Sequence, residues 1–328
     1  MSYLFAAGKI RSLEKRLLSR NDLELMLNSK NAEESFKIFN DTDLADNLLR
    51  VDAKNFAKAI ADDLTQNRKF IEKIADGKIL RLVFLKQDFH NVKIFLKGKA
   101  NEGIVLENSV SPLGTVKSED LKKRIMANDK KVRFDEDFEV SLENIKKRIK
   151  NPVSSREIDS ACDQEYFKLL LKIAGKIKNE FILNFCKLQA DLANFKILLR
   201  GRLMKCELNK ISTIFIEGGG MEKNKFLSLY KKTDSEIFKF LKAHFKPSEE
   251  IFLEDYFKEG RLWQLERAFD DLLINYLEKA KLIASGPELI FAYAFSKYNS
   301  ANNIRLVMVG KLNEIENEAI RKKLRKII

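Results

Sequence analysis

Asp191-Leu192-Ala193-Asn194-Phe195-Lys196-Ile197-Leu198-Leu199-Arg200-Gly201-Arg202 is one of three versions of a single block in this chain. The others are Asp88-Phe89-His90-Asn91-Val92-Lys93-Ile94-Phe95-Leu96-Lys97-Gly98-Lys99 and Ser300-Ala301-Asn302-Asn303-Ile304-Arg305-Leu306-Val307-Met308-Val309-Gly310-Lys311. Counted from the Asn, each version has an apolar residue at +1, a base at +2 and apolar residues at +3 to +5. Each then has Gly at +7 and a base at +8. The first two versions also carry Asp at −3, where the third has Ser300. Asn91, Asn194 and Asn303 are near-equally spaced along the 328 residues, so the blocks read as diverged copies of one module.

The apolar positions +1, +4 and +5 share one face of a helix. The Asn and the Asp at −3 are one turn apart, close enough to bond to each other or to neighbouring backbone. A buried Asn must be satisfied, so it would fix the position of its helix. The Gly at +7 is expected to take the left-handed conformation that closes a helix. The bases beside it suit the negative helix end. The structural reading is favoured for Asn91, Asn194 and Asn303 and for Gly98, Gly201 and Gly310. For Lys93, Lys99, Lys196, Arg202, Arg305 and Lys311 a structural role and a partner contact both stay open.

Around the blocks the helical period persists. Leu265, Ala268, Phe269, Leu272, Leu273, Tyr276 and Leu277 make one broad stripe, and Ile10, Leu13, Leu17 and Leu18 another. Thr233 with Glu236 and Ser154 with Glu157 read as capping boxes, and Asn21 with Glu24 as a weaker start signal. Asn313 is expected to cap a C-terminal helix with acids early, bases late and Ile315, Ala319, Ile320, Leu324 and Ile327 on its buried side. Loops fall at 100–115, at the Gly218-Gly219-Gly220 triplet, read as a mobile turn, and at Gly286-Pro287. Two-residue alternation is scarce and there are only 4 Pro. The expected fold class is all-α.

Lys plus Arg total 61 against 48 Asp plus Glu, a net charge of +13. That surplus suits nucleic acid, anionic headgroups or acidic proteins and selects none of them. The 3 Cys are scattered and read as reduced thiols. With 2 His they supply no zinc set, so no metal is expected. Gly-Lys pairs such as those at Gly8, Gly98 and Gly310 are not followed by Ser or Thr, so no phosphate loop is present. No catalytic constellation stands out, no cofactor is expected, and no apolar run has the length of a membrane span.

The chain resembles the C subunits of V/A-type rotary ATPases, a family that includes the d subunit of the eukaryotic enzymes. The resemblance starts with Tyr3-Leu4-Phe5-Ala6-Ala7-Gly8-Lys9-Ile10 and continues through the blocks at Asn91 and Asn194. It closes with Gly286-Pro287-Glu288-Leu289-Ile290 and the block at Asn303. It implies three helical modules in a pseudo-threefold, funnel-shaped arrangement, with no active site. The modules would be residues 19–124, 125–226 and 227–328, with an N-terminal helix in 1–18 packing on the third. It also implies a cytoplasmic protein, held at the membrane through its complex, that seats the central-stalk subunits D and F on the membrane rotor ring. A basic helical-repeat protein that binds nucleic acid, or a scaffold for another partner, is the rival reading.

Overall fold

The computed structural model describes residues 3–41, 52–101, 103–105, 107–149, 154–245, 256–257 and 259–327. Among these the regular structure is helical throughout, with no strand. The chain forms two compact units, Met1–Asp76 with Thr233–Ile328, and Gly77–Lys232. Residues 19–76 thus lie in the unit that carries the third block.

In the first unit the α-helices are α1 (Tyr3–Glu14), α2 (Arg20–Asn28), α3 (Ala32–Lys37) and α4 (Phe56–Ile74). In the second they are α5 (Gly77–Ala100), α6 (Ser118–Met126), α7 (Glu136–Arg148), α8 (Ser155–Ile177), α9 (Glu180–Leu203), α10 (Leu208–Thr213) and α11 (Lys223–Leu229). The first unit resumes with α12 (Asp234–Phe245), α13 (Leu262–Glu278), α14 (Pro287–Leu312) and α15 (Asn317–Arg321).

Helix α14 is the axis of the first unit. It packs against α1, α2, α3, α4, α13 and α15. Over the first half of α14 these neighbours leave no polar face to preserve, so Leu289, Ile290, Phe291, Ala292, Tyr293 and Ala294 are all buried in sequence. Gly286, at φ 152°, turns the chain into Pro287, whose fixed φ and missing N–H suit the first helical turn. Helix α4 is one-sided. Phe56, Ala59, Ile60, Leu64, Ile71 and Ile74 are buried, and Asp63 and Asn67 share that face. Asp63 meets Lys297 of α14 at 3.0 Å, and both side chains are almost wholly buried. The N-terminal helix is held by Arg11, which donates to the carbonyls of Ala280, Lys281 and Ile283 at 2.8–3.2 Å.

In the second unit α5 lies along α8, and α8 also packs on α7 and α9. The buried face of α8 runs Ile158, Ala161, Cys162, Tyr166, Leu169, Leu170 and Ile173 at helical spacing. Burial pushes the Cys162 thiol up to about 12, which leaves it inert.

Three local expectations are corrected. Ser154–Glu157 and Thr233–Glu236 form reciprocal capping boxes, but α2 is started by Ser19 with Asp22, just ahead of Asn21 with Glu24. Asn313 ends α14 and does not start a helix. The helix that follows is a short one, Asn317–Arg321, so Ile315 and Ala319 are exposed while Ile320 and Leu324 are buried. The tail beyond it leaves the helical path because its backbone is bound by side chains of α13 and α14. The Gly218–Gly220 turn, expected to be mobile, is docked against Asp191.

Candidate functional site

The repeated blocks occupy the C-terminal halves of the three longest helices, α5, α9 and α14. In each, the Asn is fully or almost fully buried. Its side chain grips both backbone groups of one residue on the segment that returns after the helix. Asn91 Nδ2 donates to the Ser111 carbonyl at 2.9 Å, and the Ser111 N–H donates to Asn91 Oδ1 at 2.8 Å. Asn194 pairs the same way with Ile216 at 2.8 Å in both directions. Asn303 pairs with Arg325 at 3.0 and 2.8 Å. The short carboxamide is the side chain that offers a donor and an acceptor side by side at this reach. Asp lacks the donor and Gln is one methylene longer.

The Asp at −3 does not pair with the Asn. It binds backbone a little farther along the same returning segment. Asp88 accepts from the Val116 N–H at 2.9 Å and the Thr115 hydroxyl at 2.7 Å. Asp191 accepts from the N–H groups of Gly220 and Met221 at 2.9 and 3.1 Å. A side chain on Gly219 would collide with that carboxylate, and Gly218 takes a left-handed φ of 87°. In the third copy Ser300 stands in place of the Asp, and the duty passes to another helix. Asp271 of α13 accepts the Lys326 N–H at 2.6 Å, and Asn299 donates to the Lys326 carbonyl at 2.6 Å. Nothing in the spacing of the sequence marks Asp271 for this part. Its pairing depends on α13 lying beside the tail.

The Gly at +7 is not the left-handed residue. It lies within the last turn of the helix, and its carbonyl takes the N–H five residues on. These bonds run from Gly103 to Gly98, Cys206 to Gly201 and Ile315 to Gly310, at 2.8–2.9 Å. This is the six-to-one bond of a Schellman ending. The left-handed residues are Lys205, at φ 51°, and Glu314, at φ 53°. The reason for Gly at +7 is room. A Cβ would run into Val105 at Gly98, Ile211 at Gly201 and Ile320 at Gly310. The second and third of these come from α10 and α15, the short helices that lie across the ends of α9 and α14.

The bases separate by position. All three at +8 bind carbonyls at the C-terminal end of a short helix, where the dipole and free acceptors favour a cation. Lys99 donates to the Ile125 carbonyl at the end of α6, at 2.8 Å. Arg202 donates to those of Tyr230 and Lys232, just beyond α11, at 2.6 Å. Lys311 donates to those of Leu27 and Ser29 at the end of α2, at 2.6 and 2.8 Å, and to Asn317 Oδ1. Burial lowers the pKa of the Lys311 ammonium. Helix α2, from the start of the chain, thus receives in the third copy what α6 and α11 receive in the first two. At +2, Lys93 bridges to Asp163 of α8 at 2.6 Å, Lys196 is half-buried, and Arg305 is exposed.

The Asn, the Asp at −3, the +8 bases and Lys93 are thus directed at backbone or at a neighbouring helix, an arrangement that holds chain. Among the described residues no cluster of three or more His, Cys, Asp or Glu is placed to hold a metal ion.

Burial pushes the carboxyls of Asp88 and Asp271 up to about 6, against the lowering effect of their backbone partners. Because the folded value lies above the ordinary 3.8, the folded state binds the proton more tightly. The stability that Asp88 contributes is complete below about pH 4 and is lost as pH rises through about 6, a difference of about 3 kcal/mol. Asp88→Asn keeps an acceptor for the Val116 N–H, sets an Nδ2 donor opposite the Thr115 hydroxyl, which can turn to accept, and cannot titrate. The stability of the parent chain minus that of Asp88→Asn, from urea denaturation, is expected to grow as pH falls from about 7 to about 4.5. A margin that narrows over that interval contradicts this account.

The family model described as "ATP synthase (C/AC39) subunit" matches residues 6–323. The C subunit of the V-type sodium ATPase of Enterococcus hirae is 20% identical over 319 residues, which cover 97% of this chain and 96% of that protein. The C subunit of the A-type ATP synthase of Thermococcus kodakarensis is 23% identical over 296 residues, covering 83% of this chain and 76% of the relative. A match that spans the three blocks and nearly the whole chain decides the matter, and this protein belongs to the ATP synthase (C/AC39) subunit family.

Proposed function

We propose that the chain is a non-catalytic, central-axis subunit of a V/A-type rotary ATPase. It seats the stalk subunits D and F on the membrane rotor ring and passes torque between them. Family membership supports a place in the complex. The observation that carries the mechanical reading is the threefold clasp. A torque-bearing spacer must resist shear, and each long helix here has its returning segment bound through both backbone groups and its +8 base set into the end of another helix. Such packed, fully bonded elements transmit strain with little yield. In this reading each block lies in one of three modules, residues 19–124, 125–226 and 227–328, set about a pseudo-threefold axis as a funnel, with the first helix closing on the third. The contact of α1 with α14 supports that closure.

No helix among the described residues is long and apolar enough to cross a membrane, so attachment to the ring would be peripheral. The nucleic-acid reading rests on the net charge of +13 and gains nothing from these bases, because the +8 bases are engaged with carbonyls and Lys93 with an Asp. The test is purification of tagged chain from mild-detergent membranes. Stalk and ring subunits are expected in stoichiometric amounts, and recovery of the chain alone, or with nucleic acid, defeats the proposal.

A further inference from the structure

The third block departs from its siblings on one side. At +6, where the first two copies carry Lys97 and Arg200, the third carries Val309, which is 47% exposed. Five residues past the glycine, Ile315 is 43% exposed. The +2 base, Arg305, is exposed and makes no hydrogen bond or ion pair among the described residues, whereas Lys93 is engaged with Asp163. These departures converge on one groove of about 440 Å³ between α14 and the segment carrying α15.

Its floor is Leu306, Val309, Ile315 and Ile320, and its rim carries Arg305 and Lys323. Arg325 also lines it, already paired with Asp270 at 3.2 Å. No carboxylate lines it among the described residues. The close approach that Gly310 permits between Ile320 and α14 sets the depth of the floor.

We infer that this groove is a docking surface for a short amphipathic helix of a partner protein, with an apolar stripe flanked by Asp and Glu. Two helical walls with apolar side chains between them suit apolar residues presented at i, i+3 and i+4, the ordinary helix-in-groove arrangement. A rim with two uncompensated cations and no acid selects an acidic flank, accelerates its arrival and rejects a basic one. This inference goes beyond the rotary assignment and stands on the groove alone.

The test uses the full chain and a fluorescein-labelled Glu/Leu amphipathic helix of about four turns as probe, followed by anisotropy. Controls are a scrambled peptide of the same composition, a Lys/Leu counterpart, and vesicles of phosphatidylcholine with phosphatidylserine. The Glu/Leu helix is expected to bind and the controls to bind at least about tenfold more weakly. Arg305→Glu with Lys323→Glu should weaken it by about tenfold or more. Val309→Asp, on the floor, should do the same. All three positions are exposed, so circular dichroism should show unchanged helix content. No binding by the parent chain, equal binding of the scrambled peptide, or indifference to these substitutions overturns the inference. So does vesicle binding that the same substitutions abolish while the peptide is ignored, which would make the patch a lipid contact. The purification of the complex proposed for the rotary role is independent of all these outcomes.

Discussion

Replacing Asn194 with Leu is expected to destabilise the protein by about 4 kcal/mol, the largest loss among the clasp positions. The Ile216 N–H and carbonyl are buried, and the carboxamide is the partner that each has in this clasp. Leu fills the space and admits no water, so both groups keep their full desolvation cost of about 1–3 kcal/mol each. Asn194→Ala should cost less, since the vacated volume can hold a water that bonds to both. Asn194→Asp should resemble Leu, because a carboxylate would face the Ile216 carbonyl. The same substitutions at Asn91 should cost less, because Ser111 is only half-buried. Urea denaturation measures the series. A loss under about 1 kcal/mol for Asn194→Leu would show that the clasp does not hold the returning segment.

Lys297→Met is the second large effect, at about 3–5 kcal/mol. The substitution keeps the length of the side chain and leaves Asp63, 6% exposed, without its cation beneath α14. Asp63→Leu should be comparably damaging for the mirror-image reason. The double variant should recover most of the loss, because two apolar side chains pack where two charges were paired, and such exchanges are often neutral or stabilising. A double-mutant cycle in guanidinium therefore has a clear expected sign, with strong favourable coupling between the two positions. Additive losses would mean that the pair is incidental and that packing around α4 carries the stability. Within the mechanical proposal, the pair fixes the register of α4 on α14 and should matter for stiffness as well as for folding.

The clasp is half visible in the sequence. Burial and satisfaction of the Asn follow from its place among apolar residues at helical spacing, and that much needs no coordinates. The partner does not follow. Asn and Asp one turn apart are within reach of each other, and that pairing would satisfy both. The structure sends both to backbone some twenty to thirty residues downstream because the returning segment lies against that face of the helix. The glycines show the same division. Three Gly at one offset signal a shared backbone requirement. Whether the requirement is a left-handed turn or close approach by a neighbour depends on where Val105, Ile211 and Ile320 arrive. The C-terminal tail defeats local reading because acid-first, base-last charge order is a local helix signal, while Asn303 and Asp271 hold the tail through bonds that no local pattern encodes.

What the amino-acid order determined alone was helix and repeat. These are properties of periodicity and composition, and they act within a few turns of chain. The tertiary structure decided which backbone each Asn holds, which helix end receives Lys99, Arg202 or Lys311, and that α2 serves the third block although it precedes the first. Those pairings join residues tens to hundreds of positions apart. Their energies depend on burial and on directed bonds between groups that only the packed fold brings together.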